Sequence, residues 1–503
     1  MHWAWWLVLA AIAFTLASML ALWSFGRFAR KARGLEAYSL PPGEDTDLDR
    51  LALPVVGARP GQTGLGLVVD NRRAFALRLE TIRRAGRSLD MLYYIWRDDL
   101  TGRLLIHELL AAADRGVRVR ILLDDVNTQG FDRGYLALNR HPLVEVRVFN
   151  PVLNRRNALR RGAEMILALV RYNRRMHCKS WIADARVALV GGRNIGDTYF
   201  GATRARRRNS RDSELVVMGE AVATLQTGFD SYWNSPMALP IAALWLGYEA
   251  DLGRYRRRLQ AGVDAGRARD YLARLPAVPD LTAGLHWSDQ VRVLIDPPEK
   301  AQGQHRERWI TQALRPMFEQ ATTRVRMVTP YFVPGREDVG FLQGLAARGV
   351  QVEVITNALA ATNHLVVHGA YRRYRRPLLE KGVRIFEFAP PDDQGRRGEM
   401  LHGKEFVVDG KTGFIGSFNY DLRSAFLNTE MGILFEIPEL VAELEGEIDR
   451  ASAPDQAFDL YLQGRWLRWR LHDGSELGHE PDATALRRGL SWVIGHLPIH
   501  RFL

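Results

Sequence analysis

Two stretches of the chain carry the same reactive layout. MHCKSWIADARVALVGGRN, residues 176–194, sets His177 two places before Lys179, then Asp184, then a Gly-Gly-x-Asn ending at Asn194. LHGKEFVVDGKTGFIGSFN, residues 401–419, repeats it with His402, Lys404, Asp409, Ser417 and Asn419. A lone histidine is usually structural, but two at equivalent points of a repeat suggest half-sites that meet about a pseudo-twofold axis. The shared pocket would hold two imidazoles and two ammonium groups, which suits phosphodiester transfer. With an ordinary pKa of about 6.5, one imidazole can attack phosphorus while the other, protonated, donates to the departing alkoxide. Lys179, Lys404, Asn194, Asn419 and Ser417 would hold the phosphoryl oxygens, supplying charge that a metal supplies in other phosphoryl enzymes. No cofactor is expected, and no metal, because paired ammonium groups repel a divalent cation.

The elements that must position these groups read as short strands. In an extended segment His177 and Lys179 share a face, as do His402 and Lys404, while Cys178 and Gly403 face the other way. Cys178 is therefore read as a small buried filler. Asp409-Gly410 between apolar runs is a hairpin-turn signal, and Asp184 holds the equivalent place, so both aspartates are read as closing turns. The acid that fixes each histidine tautomer is expected elsewhere: Asp212 in SRDSELVVMG and Glu430 in LNTEMGILFE precede matching apolar strands.

Around each motif the chain alternates strand and helix. Residues 88–96, 117–125 and 144–151 read as strands, with a helix over 104–116; residues 324–334, 350–357 and 382–388 repeat the pattern, with a helix over 341–349. The expected organisation is an α/β protein of two similar units, 59–240 and 286–450. Residues 1–33 form an anchor with a basic flank, 34–58 a linker, 241–285 an inter-domain segment and 451–503 a tail with an amphipathic helix.

With 47% hydrophobic and 25% charged residues the chain is globular, and a net charge of +12 points to anionic partners. One cysteine excludes an internal disulfide framework and a cysteine-rich metal site. No Asp, Glu, Lys or Arg precedes Arg27. About 23 apolar-dominated residues make a helix of roughly 34 Å, enough to cross a bilayer. Trp3, Trp5, Trp6 and Trp23 suit interfacial anchors, and a signal peptide fits less well without a basic start or a small-residue cleavage site. Arg27, Arg30, Lys31 and Arg33 follow at once, which places the globular part on the cytoplasmic side.

The duplicated His-x-Lys-(x)4-Asp-(x)6-Gly-(Gly/Ser)-x-Asn resembles the phospholipase D superfamily, over roughly residues 57–503. LDMLYYIWRDDLTGRLL, GGRNIGDTYF, NHLVVHGAYRRYRRPLLEKGV, GSFNYDLRSAFLNTEMG and the terminal LPIHRFL are most like bacterial cardiolipin synthases of the C type. The resemblance implies a pair of phospholipase D-like α/β domains with one active site, and a bacterial inner-membrane location. It also implies catalytic roles for His177, Lys179, Asp184, His402, Lys404 and Asp409. The implied reaction moves a phosphatidyl group through a phosphohistidine onto phosphatidylglycerol, from phosphatidylethanolamine or a second phosphatidylglycerol. Gly192 stands where the superfamily often has serine, so equal phosphate contacts from the two halves are not implied.

A phospholipase D-type hydrolase or nuclease would use the same histidines. Arg204, Arg206, Arg207, Arg208 and Arg211, with Arg372, Arg373, Arg375 and Arg376, could contact nucleic-acid phosphates, but anionic lipid headgroups explain them equally. The anchor favours phospholipid substrates and an anionic membrane surface over nucleic acid. ALRRGLSWVIGHLPIHRFL, residues 485–503, offers an amphipathic helix for the interface, or one that docks on the protein itself.

Overall fold

The computed structural model describes residues 2–127, 131–204, 208–277, 280–391 and 398–497. Two sheets of the same strand order build the body. In the first the order is Thr63–Val68, Glu214–Gly219, Val187–Gly191, Ser180–Ala183, Ser88–Tyr93, Arg118–Asp124, Val144–Phe149 and Ala238–Pro240. In the second it is Val291–Ile295, Met431–Phe435, Thr412–Gly416, Glu405–Val408, Arg324–Val328, Gln351–Asn357, Arg384–Phe388 and Ala457–Gln463. Place by place the strands correspond, which is the internal repeat made structural.

In each sheet the strands joined by helical crossovers pair in parallel, as Leu89 with Val119 and Val325 with Val352. The crossovers are Leu100–Asp114, capped by the Asp99 side chain, and Gly335–Ala347. Burial of these strands on both faces explains their near-continuous apolar runs. The histidine-bearing segments then return antiparallel, Leu92 opposite Ser180 and Val328 opposite Glu405.

The sheets share one core: Leu189 and Val217 of the first lie in the same buried cluster as Ile415, Ile433 and Phe435 of the second. Helices Ala221–Trp233 and Pro438–Ser452 cross over, each packing on a strand of the opposite sheet. Neither half therefore buries its apolar face alone, and removing that area from water stabilises the pair.

Domain edges differ from the sequence reading in three places. Residues 34–58 are not a free linker. Thr46 and Asp49 form a reciprocal cap on helix Asp47–Gly57, and Arg120 and Arg147 bind the carbonyls of Ala37 and Leu35. Much of 241–285 belongs to the first unit, where Leu259 and Tyr271 are buried and the Tyr271 hydroxyl donates to the Phe200 carbonyl. Strand His286–Ser288 joins the edge of the first sheet. The tail is not separate either, because Ala457–Gln463 pairs with Arg384–Phe388 and extends the second sheet through Glu476–Leu477.

The N-terminal helix, His2–Ala32, is long and apolar enough to cross a membrane. Its 31 residues span about 46 Å, so its C-terminal turns extend past the apolar thickness of a bilayer. There Phe25 and Ala29 are buried on the body, with the Arg171 guanidinium 3.6 Å from the Phe25 ring centroid. At the other end of the chain, helix Ala485–His496 docks on Leu365–Leu379, where Gly369 makes room for Ile494. Its Leu486, Leu490, Trp492 and Val493 stay exposed, so it both docks and presents an apolar stripe. Residues 498–503 lie outside the described residues, as do Arg206 and Arg207.

Most of the remaining basic residues singled out from sequence are engaged within the protein. Arg372 and Arg375 each lie 3.1 Å from Glu480, and Arg376 donates to the Arg465 carbonyl. Arg373 donates to the Gly495 carbonyl, Arg208 to those of Ala360 and Ala361, and Arg211 to Glu447. A nucleic-acid footprint loses its main support.

Candidate active site

The two motifs are held by each other rather than by their own halves. The backbone N–H of His177 donates to the Thr429 carbonyl at 2.9 Å, and that of His402 to the Arg211 carbonyl at 2.7 Å. The next residue on each supporting strand is the acid. Glu430 Oε2 lies 2.8 Å from His177 Nδ1, and Asp212 Oδ2 lies 2.5 Å from His402 Nδ1. Parallel pairing of Asn209–Arg211 with Glu399–Leu401, and of Met176 with Thr429, fixes this exchange. With Nδ1 committed to a carboxylate on both rings, Nε2 is left for chemistry.

Every group of the pair is buried. Lys179 Nζ donates to the His177 carbonyl and Lys404 Nζ to that of His402, folding each lysine back beside its histidine. Burial, then the charges of Lys179 and Lys404, drives His177 well below the ordinary imidazole range. Burial and Lys404 take His402 down to about 3, against the pull of Asp212. Burial also lowers Lys179 to about 7 and Lys404 to about 8, against the Glu430 and Asp212 carboxylates. Each imidazole thus feels both ammonium groups, and burial together with those charges disfavours the protonated form of both rings.

The acids differ. Burial alone would raise Asp212, but the His402 and Lys404 charges overrule it and hold the carboxyl below its usual range. Burial wins at Glu430, which is raised despite Lys179, Ser417 and Ser424.

The remaining expected residues fall into two groups. Ser417 does not offer a free hydroxyl, since it donates to Glu430 Oε2 at 2.5 Å and accepts from the Met431 N–H at 3.0 Å. Asn194 accepts from the Ile95 N–H and donates to the Tyr199 hydroxyl, each at 3.1 Å. The Asn419 side-chain oxygen is buried without a hydrogen-bond partner. Asp184 and Asp409 stand apart from the imidazoles, in turns at φ of 50° and 53°. Asp184 accepts from the N–H groups of Gly86, Arg87 and Ser88, and Asp409 from those of Thr322, Thr323 and Arg324. These contacts match the turn-closing place read from the sequence. Cys178 is buried, its thiol pushed up to about 12 by burial.

Sequence reasoning missed the aromatic walls and the outer supports. Tyr94 meets the His177 ring edge-on at 4.9 Å and Tyr199 meets that of His402 at 5.2 Å. Ser424 donates to Glu430 Oε1 at 2.8 Å, and Asp296 accepts from the Glu430 N–H while paired with Lys300. Tyr94 and Tyr199 sit in the conspicuous runs MLYYIW and GDTYF, the signal that could have found them; Asp296 and Lys300 have none.

Comparison with known proteins agrees with this geometry. A family profile described as "Cardiolipin synthase, PLD-like domain" matches residues 79–233 and 314–451. The chain is 39% identical over 473 residues to cardiolipin synthase C of Escherichia coli, covering 90% of this chain and 98% of that protein. It is 28% identical to a cardiolipin synthase of Geobacillus thermodenitrificans over 426 residues, 81% of this chain and 73% of the relative. A crystal structure of phosphatidylserine synthase from Haemophilus influenzae shares the fold, with a TM-score of 0.58 at 14% identity, covering 86% of this chain and 92% of the other. Two crossed histidine–carboxylate pairs in a duplicated sheet, together with these relatives, place the chain in the cardiolipin synthase family of the phospholipase D superfamily, as a phosphatidyltransferase of phospholipids.

Proposed function

We propose that the site transfers a phosphatidyl group through a phosphohistidine onto a hydroxyl of phosphatidylglycerol, giving cardiolipin. The crossed pairing of each imidazole with the other half's acid carries this reading, because it holds each ring by Nδ1 and leaves its Nε2 without a carboxylate partner, with a buried lysine folded against each histidine. In the first step His177 Nε2 forms a bond to phosphorus as the bond from phosphorus to the leaving oxygen breaks, and His402 gives that oxygen its proton. In the second, the acceptor hydroxyl returns a proton to His402, its oxygen bonds phosphorus, and the nitrogen–phosphorus bond breaks. His402 takes the acid role because its carboxylate, Asp212, is held ionised and best supports an imidazolium. The phosphodiester's negative charge raises the affinity of His402 for that proton.

The donor is phosphatidylethanolamine or a second phosphatidylglycerol, and the reaction takes place at the inner membrane with the body on its cytoplasmic face. The test is expression in bacteria that lack cardiolipin, with lipid extracts compared between wild type and the His177→Ala and His402→Ala variants. Cardiolipin from wild type alone is expected, and labelling each donor separately identifies the group released. Cleavage of DNA with no lipid product would overturn the reading.

A further inference from the structure

Where the C-terminal turns of the anchor helix meet the body, the two do not close tightly. A cavity of about 580 Å³ opens there, walled by Leu22, Phe25 and Gly26 of the anchor and by Val170, Met237 and Ala301 of the body. Its rim carries Arg30, Arg171 and Arg174. Arg171 is buried, and its Nε has no hydrogen-bond partner. Arg174 donates to the Lys300 carbonyl at 2.9 Å, and three residues further along lies His177.

The depth of this cavity follows from its neighbours. The Arg27 guanidinium lies 4.7 Å from the Trp23 ring centroid, an aromatic and a basic residue together where a spanning helix meets water. Beside the anchor runs the helix Ala158–Leu167, which packs on it yet buries none of its own residues. Leu159 and Ile166, with Leu169 and Val170 just beyond, fall on one side at helical spacing and are more than 60% exposed. Arg160 and Arg161 follow Leu159 in sequence. An amphipathic segment so placed suits a membrane surface, and its Val170 end opens into the cavity.

We infer that this cavity seats one phospholipid of the bilayer with an anionic headgroup, its acyl chains against Leu22, Phe25 and Val170 and its phosphate against Arg30 and Arg174. The apolar wall continues directly into the exposed apolar face of the anchor, and the basic rim complements the phosphate. The inference rests on the phosphatidyltransferase reading only for the use of that lipid as substrate; the seat itself stands on the geometry.

A Cβ added at Gly26 meets nothing within 4 Å, so Gly26→Phe fills the space without straining the helix. Full-length protein in nanodiscs is exposed to phosphatidylglycerol carrying a photoreactive acyl chain. Wild type is expected to be labelled on the peptides containing Gly26 and Val170. Gly26→Phe and the double variant Arg30→Glu/Arg174→Glu are expected to lose at least about fivefold of that label. Phosphatidylcholine carrying the same acyl chain is expected to label wild type several-fold less. Turnover of a dihexanoyl substrate free in solution should stay within about twofold of wild type in Gly26→Phe, while turnover of bilayer lipid falls. Equal labelling of wild type and both variants, or equal labelling by the two lipids, overturns the seat. Loss of dihexanoyl turnover in Gly26→Phe also overturns it, because the substitution would then be acting through the fold. Correct labelling in a wild type with no turnover of either substrate would instead overturn the phosphatidyltransferase reading and leave the seat standing.

Discussion

The two halves of the active site solve one problem with different parts. Each must bring a carboxylate to the other half's histidine. In the first half the acid is the shorter Asp212, and it lies so close to its neighbouring strand that a Cβ on Gly192 would fall 2.2 Å from its Oδ1. In the second half the acid is the longer Glu430, the Gly192 position holds Ser417, and that hydroxyl clamps the carboxylate together with Ser424. Short acid with glycine and long acid with serine are matched pairs. Serine at that point braces the acid, and glycine in the first copy leaves room for Asp212. The pairing also sets the electrostatics, with the ionised Asp212 behind His402 and the more readily protonated Glu430 behind His177.

The most forceful way to break the comparison is to remove each imidazole in turn. Either alanine variant should lower lipid turnover by about 10⁴-fold. The halves should separate on a phosphodiester whose leaving group needs no proton, such as p-nitrophenolate. His402→Ala should still form an acid-labile phosphoenzyme in a rapid-quench experiment, whereas His177→Ala should form none. Label retained in His177→Ala and lost in His402→Ala would reverse the assigned roles.

A subtler break exchanges the matched parts. Gly192→Ser alone drives Cβ into Asp212 and should cost about 100-fold in kcat through displacement of the acid. Combining it with Asp212→Glu rebuilds the second half's pair in the first and should recover part of that loss. In a double-mutant cycle the coupling should be favourable and clearly non-additive, as expected of groups in contact. Additive losses would mean that the two positions do not act as a unit.

Much of the site was legible because its residue types are rare in such a repeat. His177, Lys179, His402 and Lys404 announce themselves by spacing, and Asp212 and Glu430 by their place before matching apolar strands. What a single sequence does not carry is which acid serves which histidine. The exchange is made by pairings 190 and 253 residues apart, and no local pattern encodes a contact at that separation. The same limit hid Asp296, which supports Glu430 from 134 residues away in the chain, and its partner Lys300, whereas Tyr94 and Tyr199 left a signal in their aromatic runs. The central strands of both sheets were readable from apolar runs, whereas the reciprocal cap of Thr46 and Asp49 lay in a Pro- and Asp-rich stretch that reads as a linker. Asp184 and Asp409 show two readings side by side: the turn expected from Asp409-Gly410 and from the equivalent Asp184 is the one both residues build, at positive φ.

The ammonium groups offer a smaller, pH-dependent contrast. In the proposed reaction the charged lysines hold the phosphate, and burial lowers Lys179 to about 7 and Lys404 to about 8. A group lowered in this way is charged below its pKa and neutral above it, so kcat/KM should fall as pH rises through about 7 to 8, by up to tenfold per unit for each proton lost. Bound phosphodiester favours the charged forms, so the corresponding fall in kcat should come at higher pH. Lys179→Arg, which stays charged, should move the limb in kcat/KM upward more than Lys404→Arg does, because Lys179 is lost first. A limb that ignores both substitutions would assign it to another group.

The aspartates of the motif should show the least effect on chemistry. Asp184 and Asp409 each collect three backbone N–H groups where the crossover strand beside their own hairpin begins, Asp184 fully buried and Asp409 partly exposed. Asn keeps the left-handed turn that both occupy but replaces one acceptor oxygen with a donor facing an N–H. The loss should appear in stability, about 1 to 3 kcal/mol by urea unfolding for Asp184→Asn and less for Asp409→Asn, where water can replace the missing bond. Turnover per folded molecule should stay within about twofold of wild type, since neither carboxylate faces an imidazole. The Asp409 carboxyl is held well below its ordinary range by those N–H donors, which offset its burial. Its contribution is therefore present above the unfolded carboxylate pKa and fades as pH falls toward the folded value, so wild type and Asp409→Asn should converge in stability in strong acid. A drop in turnover that exceeds the loss of folded protein would return these residues to the chemistry.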